Sequence, residues 1–236
     1  MTTNKKQLLA IPLIIFAFLS GIGQQASYSD AAQAYNRLLI EKNNSTYVQI
    51  GKDKVYGSMH LFGEKRKADV FAKKEAAYGI EIHYNTYSQQ IVFIEPSGEE
   101  MVKEAEDVDS FILKDVFDEA GVERMLFING SHIGQSSKEF FEVVIDGSKF
   151  SLLKHYRATI EPMATQYVDN DRKQFSIVTQ HYYLNRQNGT LKKIKLQLKW
   201  LAKEFSQYGT AGTVSEACFL NNPEGCLKEV IHTLNK

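Results

Sequence analysis

Six histidines, two cysteines and one acid-rich stretch are the residues of this 236-residue chain whose types lend themselves to chemistry. His60, His83, His132, His155, His181 and His232 are scattered, and no two stand at i, i+2 or i, i+4. Those are the spacings that put two imidazoles on one side of a strand or helix, so no local metal pair is assigned. His132, in Gly130-Ser131-His132, is expected on an exposed turn and has the strongest individual claim to a role. Gly130-Ser131-His132-Ile133-Gly134 echoes the G-x-S-x-G nucleophile elbow only superficially, because the serine and histidine occupy the wrong positions. The chain carries no glycine-rich phosphate loop, no H-E-x-x-H helix and no EF-hand pattern. Residues 99–109 hold Glu99, Glu100, Glu104, Glu106, Asp107 and Asp109, with Asp115 just beyond. Carboxylate pairs for glycoside cleavage can be drawn almost anywhere along that stretch, so its spacing singles out none of them. It reads as a wet edge. No catalytic residue, metal ligand or cofactor site is assigned.

Cys218 and Cys226 are the only cysteines, separated by a bend at Asn221-Asn222-Pro223-Glu224-Gly225. The spacing is not CxxC and no histidine accompanies the pair, which disfavours metal or redox chemistry. A structural disulfide is favoured, with two separate thiols as the alternative. Tyr84, Tyr87 and Tyr156 are the candidate ligand contacts among twelve tyrosines. The structural reading of Tyr84-Asn85-Thr86-Tyr87 is a strand end with an asparagine turn, its rings packed at a sheet margin.

These residues sit on a chain that reads as mostly strand with helices at its two ends. Short segments around Tyr47, Val55, Val70 and Ile82, separated by turn or charged residues, carry the spacing of an antiparallel meander. Asp146-Gly147 predicts a type I′ hairpin turn between residues 140–145 and 148–156, and Asn188-Gly189 marks a second hairpin. Along the strand after Gly147, Phe150, Leu152, Lys154 and Tyr156 share one side, while Ser151, Leu153, His155 and Arg157 share the other. One face is expected buried and one half-wetted. A helix is expected over residues 31–41, another around residues 198–205, and a third capped by Asn222 with Pro223 at its first position. The expected fold is mainly β (α+β): a curved antiparallel sheet or partly open barrel, packed against N- and C-terminal helices.

The compartment is read from residues 8–22, LLAIPLIIFAFLSGI, behind Lys5 and Lys6. A positive head, an apolar core and small residues at Ser20, Gly21, Gly23 and Ala26 point to a signal peptide over residues 1–23, cut between residues 21 and 26, with an uncleaved N-terminal anchor as the alternative. The run is shorter than the roughly 20 apolar residues of a spanning helix. Residues 24–236 then form one sheet-rich domain, with no stable membrane span after signal removal. Basic and acidic residues balance at 28 each, which argues against a general nucleic-acid binder.

Gly57-Ser58-Met59-His60-Leu61, Ile82-His83-Tyr84-Asn85, Phe140-Phe141-Glu142-Val143 and Leu152-Leu153-Lys154 together resemble a group of uncharacterised secreted or periplasmic proteins of Bacteroidota. That group carries a GSPYL-like segment, an RYN-like segment, a YFEVL strand, an LLK strand and a C-terminal helix. This chain departs from the pattern at Met59-His60, where Pro-Tyr is usual, and at His83, where Arg is usual. The resemblance implies a Gram-negative envelope setting, periplasmic or extracellular, and a sheet-rich fold. The leading functional expectation is a non-enzymatic envelope protein binding a small apolar molecule or a peptide. The alternatives are a structural or protein-interaction component using an exposed sheet edge, and a hydrolase with a non-local active site.

Overall fold

The computed structural model describes residues 47–73, 75–95, 97–114, 116, 124–163, 172–209 and 216–236. The expected signal peptide and the helix over residues 31–41 lie outside them. Twelve strands form one sheet: β1 (Tyr47–Ile50), β2 (Asp53–Tyr56), β3 (Arg66–Ala72), β4 (Glu75–Asn85), β5 (Gln90–Ile94), β6 (Glu100–Lys103), β7 (Ser110–Lys114), β8 (Arg124–Asn129), β9 (Phe140–Ile145), β10 (Phe150–Pro162), β11 (Arg172–Asn185) and β12 (Thr190–Lys193). Their order is β1-β2-β11-β10-β9-β8-β7-β3-β4-β5-β6, with β12 also on β11, and the sheet does not close. It is mixed, because β2 runs parallel to the start of β11 while the other pairs are antiparallel. Among the described residues three α-helices follow: α1 (Leu198–Ser206), α2 (Glu216–Asn221) and α3 (Pro223–Leu234). No helix among the described residues is long and apolar enough to cross a membrane.

Turn chemistry sets the register of two hairpins in the same way. Asn85 pairs with Gln90 across residues 86–89, and the Asn85 carboxamide oxygen accepts from the amides of Tyr87 and Ser88, both at 3.0 Å. Asn185 pairs with Thr190 across residues 186–189 and accepts from the Gln187 amide at 3.0 Å. Each turn ends on a left-handed residue, Gln89 at φ 59° and Gly189 at φ 69°. The hairpin of β9 and β10 forms as expected, but not through a type I′ turn. Such a turn needs positive φ at Gly147, which is absent from the positive-φ glycines. Instead a longer connection over residues 146–149 wraps the side chain of Asn235, at the other end of the chain. A Cβ at Gly147 would overlap that side chain and the Phe150 carbonyl, so the glycine is needed for close approach.

The inner face of the sheet carries two apolar clusters. In the first, Tyr84, Phe111, Phe127 and Phe140 pack ring against ring, with Phe111 stacked on Phe127 at 4.6 Å and Tyr84 edge-on to Phe111 at 5.3 Å. Burying each such ring stabilises the fold by about 1.5–3 kcal/mol. The second lies under the C-terminal helices, where Phe150, Leu152 and Tyr183 meet Leu201, Phe205, Leu227, Val230, Ile231 and Leu234. The outer face departs from expectation: Ser151, Leu153 and His155 are buried, not half-wetted. A third cluster explains the difference, since Leu153 packs there with Phe141 and Ile133, flanked by Ile128, Val143, Tyr182, Leu184 and Leu191.

Helix α3 is fixed at both ends. The Asn222 side chain caps its first turn by accepting from the Gly225 amide at 2.7 Å, with Pro223 where no amide hydrogen is needed. At the far end Asn235 accepts from the amides of Lys149 and Phe150 and donates to the carbonyls of Phe150 and Ile231, all at 2.9 Å. A disulfide between Cys218 and Cys226 ties α2 to α3.

Candidate functional site

The three tyrosines singled out in the sequence have different surroundings. Tyr84 is 2 % exposed, at the centre of the aromatic cluster, and its hydroxyl donates to Gln89 Oε1 at 2.7 Å. Burial raises its pKa well above the usual phenol value. Tyr87, on the turn two residues beyond Asn85, is 43 % exposed and lies edge-on to Phe175 at 5.7 Å. Tyr156 is buried and donates to Glu142 Oε2 at 2.5 Å. Gln89 links the first and last of these. Its amide nitrogen donates to the carbonyls of Thr86 and Tyr156, both at 2.9 Å, and its oxygen also accepts from the Phe140 amide at 3.3 Å. One left-handed glutamine thereby joins the β4–β5 turn to β9 and β10.

Cross-strand register brings a charged band onto the inner face between the two apolar clusters. Lys154 on β10 stands opposite Glu142 on β9 and His181 on β11. Glu224, in the first turn of α3, comes down onto them, 2.6 Å from Lys154 Nζ and 3.3 Å from His181 Nε2, with Lys228 at 3.4 Å on the same helix. Burial raises the Glu142 carboxyl above its usual range, against the pull of Lys154 and the Tyr156 hydroxyl. Burial would raise Glu224 too, but hydrogen bonds from His181 and Lys154, with the Lys154 charge, outweigh it and hold that carboxyl at about 2. Each carboxylate has an internal partner, so the band acts as a clamp for the N-terminus of α3. Tyr183 and Lys192 hold Glu204 of α1 in the same manner, each at 2.5 Å.

Two histidines that are far apart in sequence meet. His60, bridged to Asn85, stacks on His83 with ring centroids 4.6 Å apart and planes 27° apart. His83 Nδ1 is buried without a hydrogen-bond partner. Among the described residues, no three histidine, cysteine, aspartate or glutamate side chains gather as metal ligands.

The outer face carries an open cleft of about 330 Å³, lined by His132, Ile133, Gly134, Leu184, Arg186 and Gly189. Local sequence builds both walls. Asn129 donates to the carbonyls of Ala105 and Ser137 at 2.8 Å and accepts from the Ser131 amide at 3.0 Å, which fixes the 3-10 turn Gly130–Ile133 that presents His132. Gly130 is required because a Cβ there would overlap the Ser136 carbonyl. The opposite wall is the β11–β12 turn, where the Arg186 guanidinium binds Asp146 and the Ser151 hydroxyl. Ile133 and Leu184 make an apolar floor continuous with the outer cluster. Gly134 and Gly189 have nothing within 4 Å of where a Cβ would stand, which leaves the backbone of both walls open. His132 was visible in sequence as a turn residue, whereas Arg186, Leu184 and the buried band become visible only once strand register is known. Comparisons of the chain with protein-family models, with curated proteins and with solved structures found no match.

Proposed function

We propose that the protein is a non-enzymatic binding protein of the cell envelope, and that it takes a short peptide or small molecule by seating an apolar group in the outer cleft. The observation that carries this reading is the cleft's make-up: an apolar floor of Ile133 and Leu184, polar groups from His132 and Arg186 at the rim, and open backbone at two glycines. Pockets for small ligands combine those elements, an apolar lining with a few placed polar groups. Tyr84, by contrast, is closed in among three phenylalanines and supports the fold. The disulfide supports an oxidising compartment, in keeping with the apolar head behind Lys5 and Lys6. Panning a random heptapeptide display library against the protein tests the reading. Enriched peptides are expected to share an apolar anchor and to lose binding to a Leu184→Asp variant while retaining it with Leu220→Asp. Enrichment indifferent to Leu184 would refute it.

A second reading, an interaction component using a sheet edge, draws on β6. That strand closes one margin of the sheet, and Met101 on it is 48 % exposed. Such an edge can accept a further strand. Peptides whose binding responds to Met101→Lys and not to Leu184→Asp would favour it.

A further inference from the structure

We propose that the stacked pair His60–His83 is an acid-operated clasp: a first proton is accommodated, and a second, on the facing ring, parts the rings and frees residues 58–63 from the end of β4. Residues 58–63 form a strap between β2 and β3. The Met59 carbonyl accepts from the Thr86 amide at 2.9 Å and from the Thr86 hydroxyl at 2.8 Å, and the Leu61 amide donates to the Tyr84 carbonyl at 2.9 Å. The Asn85 carboxamide adds a contact to Met59 sulfur at 3.4 Å. Met59 and Leu61 are both buried, and Leu61 packs into the cluster that holds the aromatic rings. It leaves through Phe62 at φ 66° and Gly63 at φ 71°, and a left-handed phenylalanine is a costly backbone state that the surrounding contacts must hold.

The order of protonation follows from what faces each ring. His83 is lowered first by burial and also by Lys65, but Glu100, the Glu64 backbone and Glu81 favour its proton. His60 has no such help: burial and the charge on His83 hold it down to about 4. One imidazolium over a neutral imidazole is a favourable stack, whereas two cations at 4.6 Å repel in a half-buried site. Asn85 and Met59 offer no acid to absorb the second charge. Protonation of His60 therefore acts on a side-chain contact through which the strap grips β4, next to the contact between Met59 and Asn85.

Amide hydrogen exchange on the purified protein, expressed as protection factors, tests the clasp. Protection at Leu61 and Thr86 is expected to fall at least about tenfold between about pH 6 and pH 4, while Leu153 in β10 stays protected. His60→Phe keeps a ring in the stack without a proton site, and His83→Gln removes the repelling partner; both are expected to abolish the fall. Unchanged protection at Leu61 and Thr86 in the unaltered protein would overturn the proposal. So would the same fall in both variants, or loss at Leu153 in step with the strap.

Discussion

Gln89 concentrates more of the fold in one side chain than any residue around it. It answers the Tyr84 hydroxyl, the Phe140 amide and the Tyr156 carbonyl from a left-handed backbone position. Gln89→Leu keeps the bulk and strands those three buried groups, so urea unfolding is expected to show a loss of about 2–5 kcal/mol. Tyr156→Phe leaves the buried Glu142 carboxylate without its hydroxyl donor and should lower stability by about 1–3 kcal/mol, more than Tyr84→Phe, whose acceptor Gln89 retains the Phe140 amide. Acid acts in one direction on two groups. His60 titrates at about 4 in the fold against an ordinary 6.5, so the unfolded chain binds the extra proton between those values, and stability declines as pH falls through them. Glu224, held at about 2 against 4.5, contributes stability above the higher value that is lost as pH falls toward the lower. The urea midpoint is expected to drop from pH 7 to about pH 4 and again below it; a flat profile would contradict both assignments. Nothing local marks Gln89 or the His60–His83 stack in the sequence, because a polar residue in a turn looks solvated until the strand it folds onto is known.

At the scale of elements, patterning carried far and long-range contact set the remainder. The alternation in β10, the asparagine turn after Tyr84 and the Asn222-Pro223 helix start are local signals, and each element stands where they put it. The connection over residues 146–149 differs because Asn235, some 85 residues away in the chain, supplies its hydrogen bonds. Ser151, His155 and Arg157 beside Leu153 predict a half-wet outer face on β10; the burial of Ser151 and His155 follows from neighbours on β9 and β11. Asn235→Ala removes three hydrogen bonds that seat the end of α3 on this hairpin and a fourth to the helix's own Ile231 carbonyl, and a loss of about 2 kcal/mol in thermal or urea unfolding is expected. The Cys218–Cys226 bridge spans a separation of 8 residues. Its reduction should lower stability by about 2 kcal/mol while the far-ultraviolet β signal persists, since the sheet makes its own core. Collapse of the β signal on reduction alone would show that α2 supports more than α3.

Across the whole molecule, an open sheet is filled on its inner side by rings and helices and carries an apolar cluster on its outer side as well. The band of buried Glu142, Lys154 and His181 with half-buried Glu224 separates the two inner clusters and locks the C-terminal helix over one of them. Among the described residues, the chemistry-bearing side chains of the inner band serve attachment, and an open cleft with an apolar floor lies on the outer face. Sequence alone could name His132 as a turn residue but not its partners, because Leu184 and Arg186 reach it only through the order of strands. Residue-resolved chemical-shift mapping with a library-selected peptide tests the assignment of recognition to that outer surface most directly. Shifts centred on Ile133, Gly134, Leu184 and Gly189 are predicted, with Tyr84 and Phe127 unmoved. Shifts centred on Tyr84, Phe111 and Phe127 would contradict it and place binding in the aromatic interior.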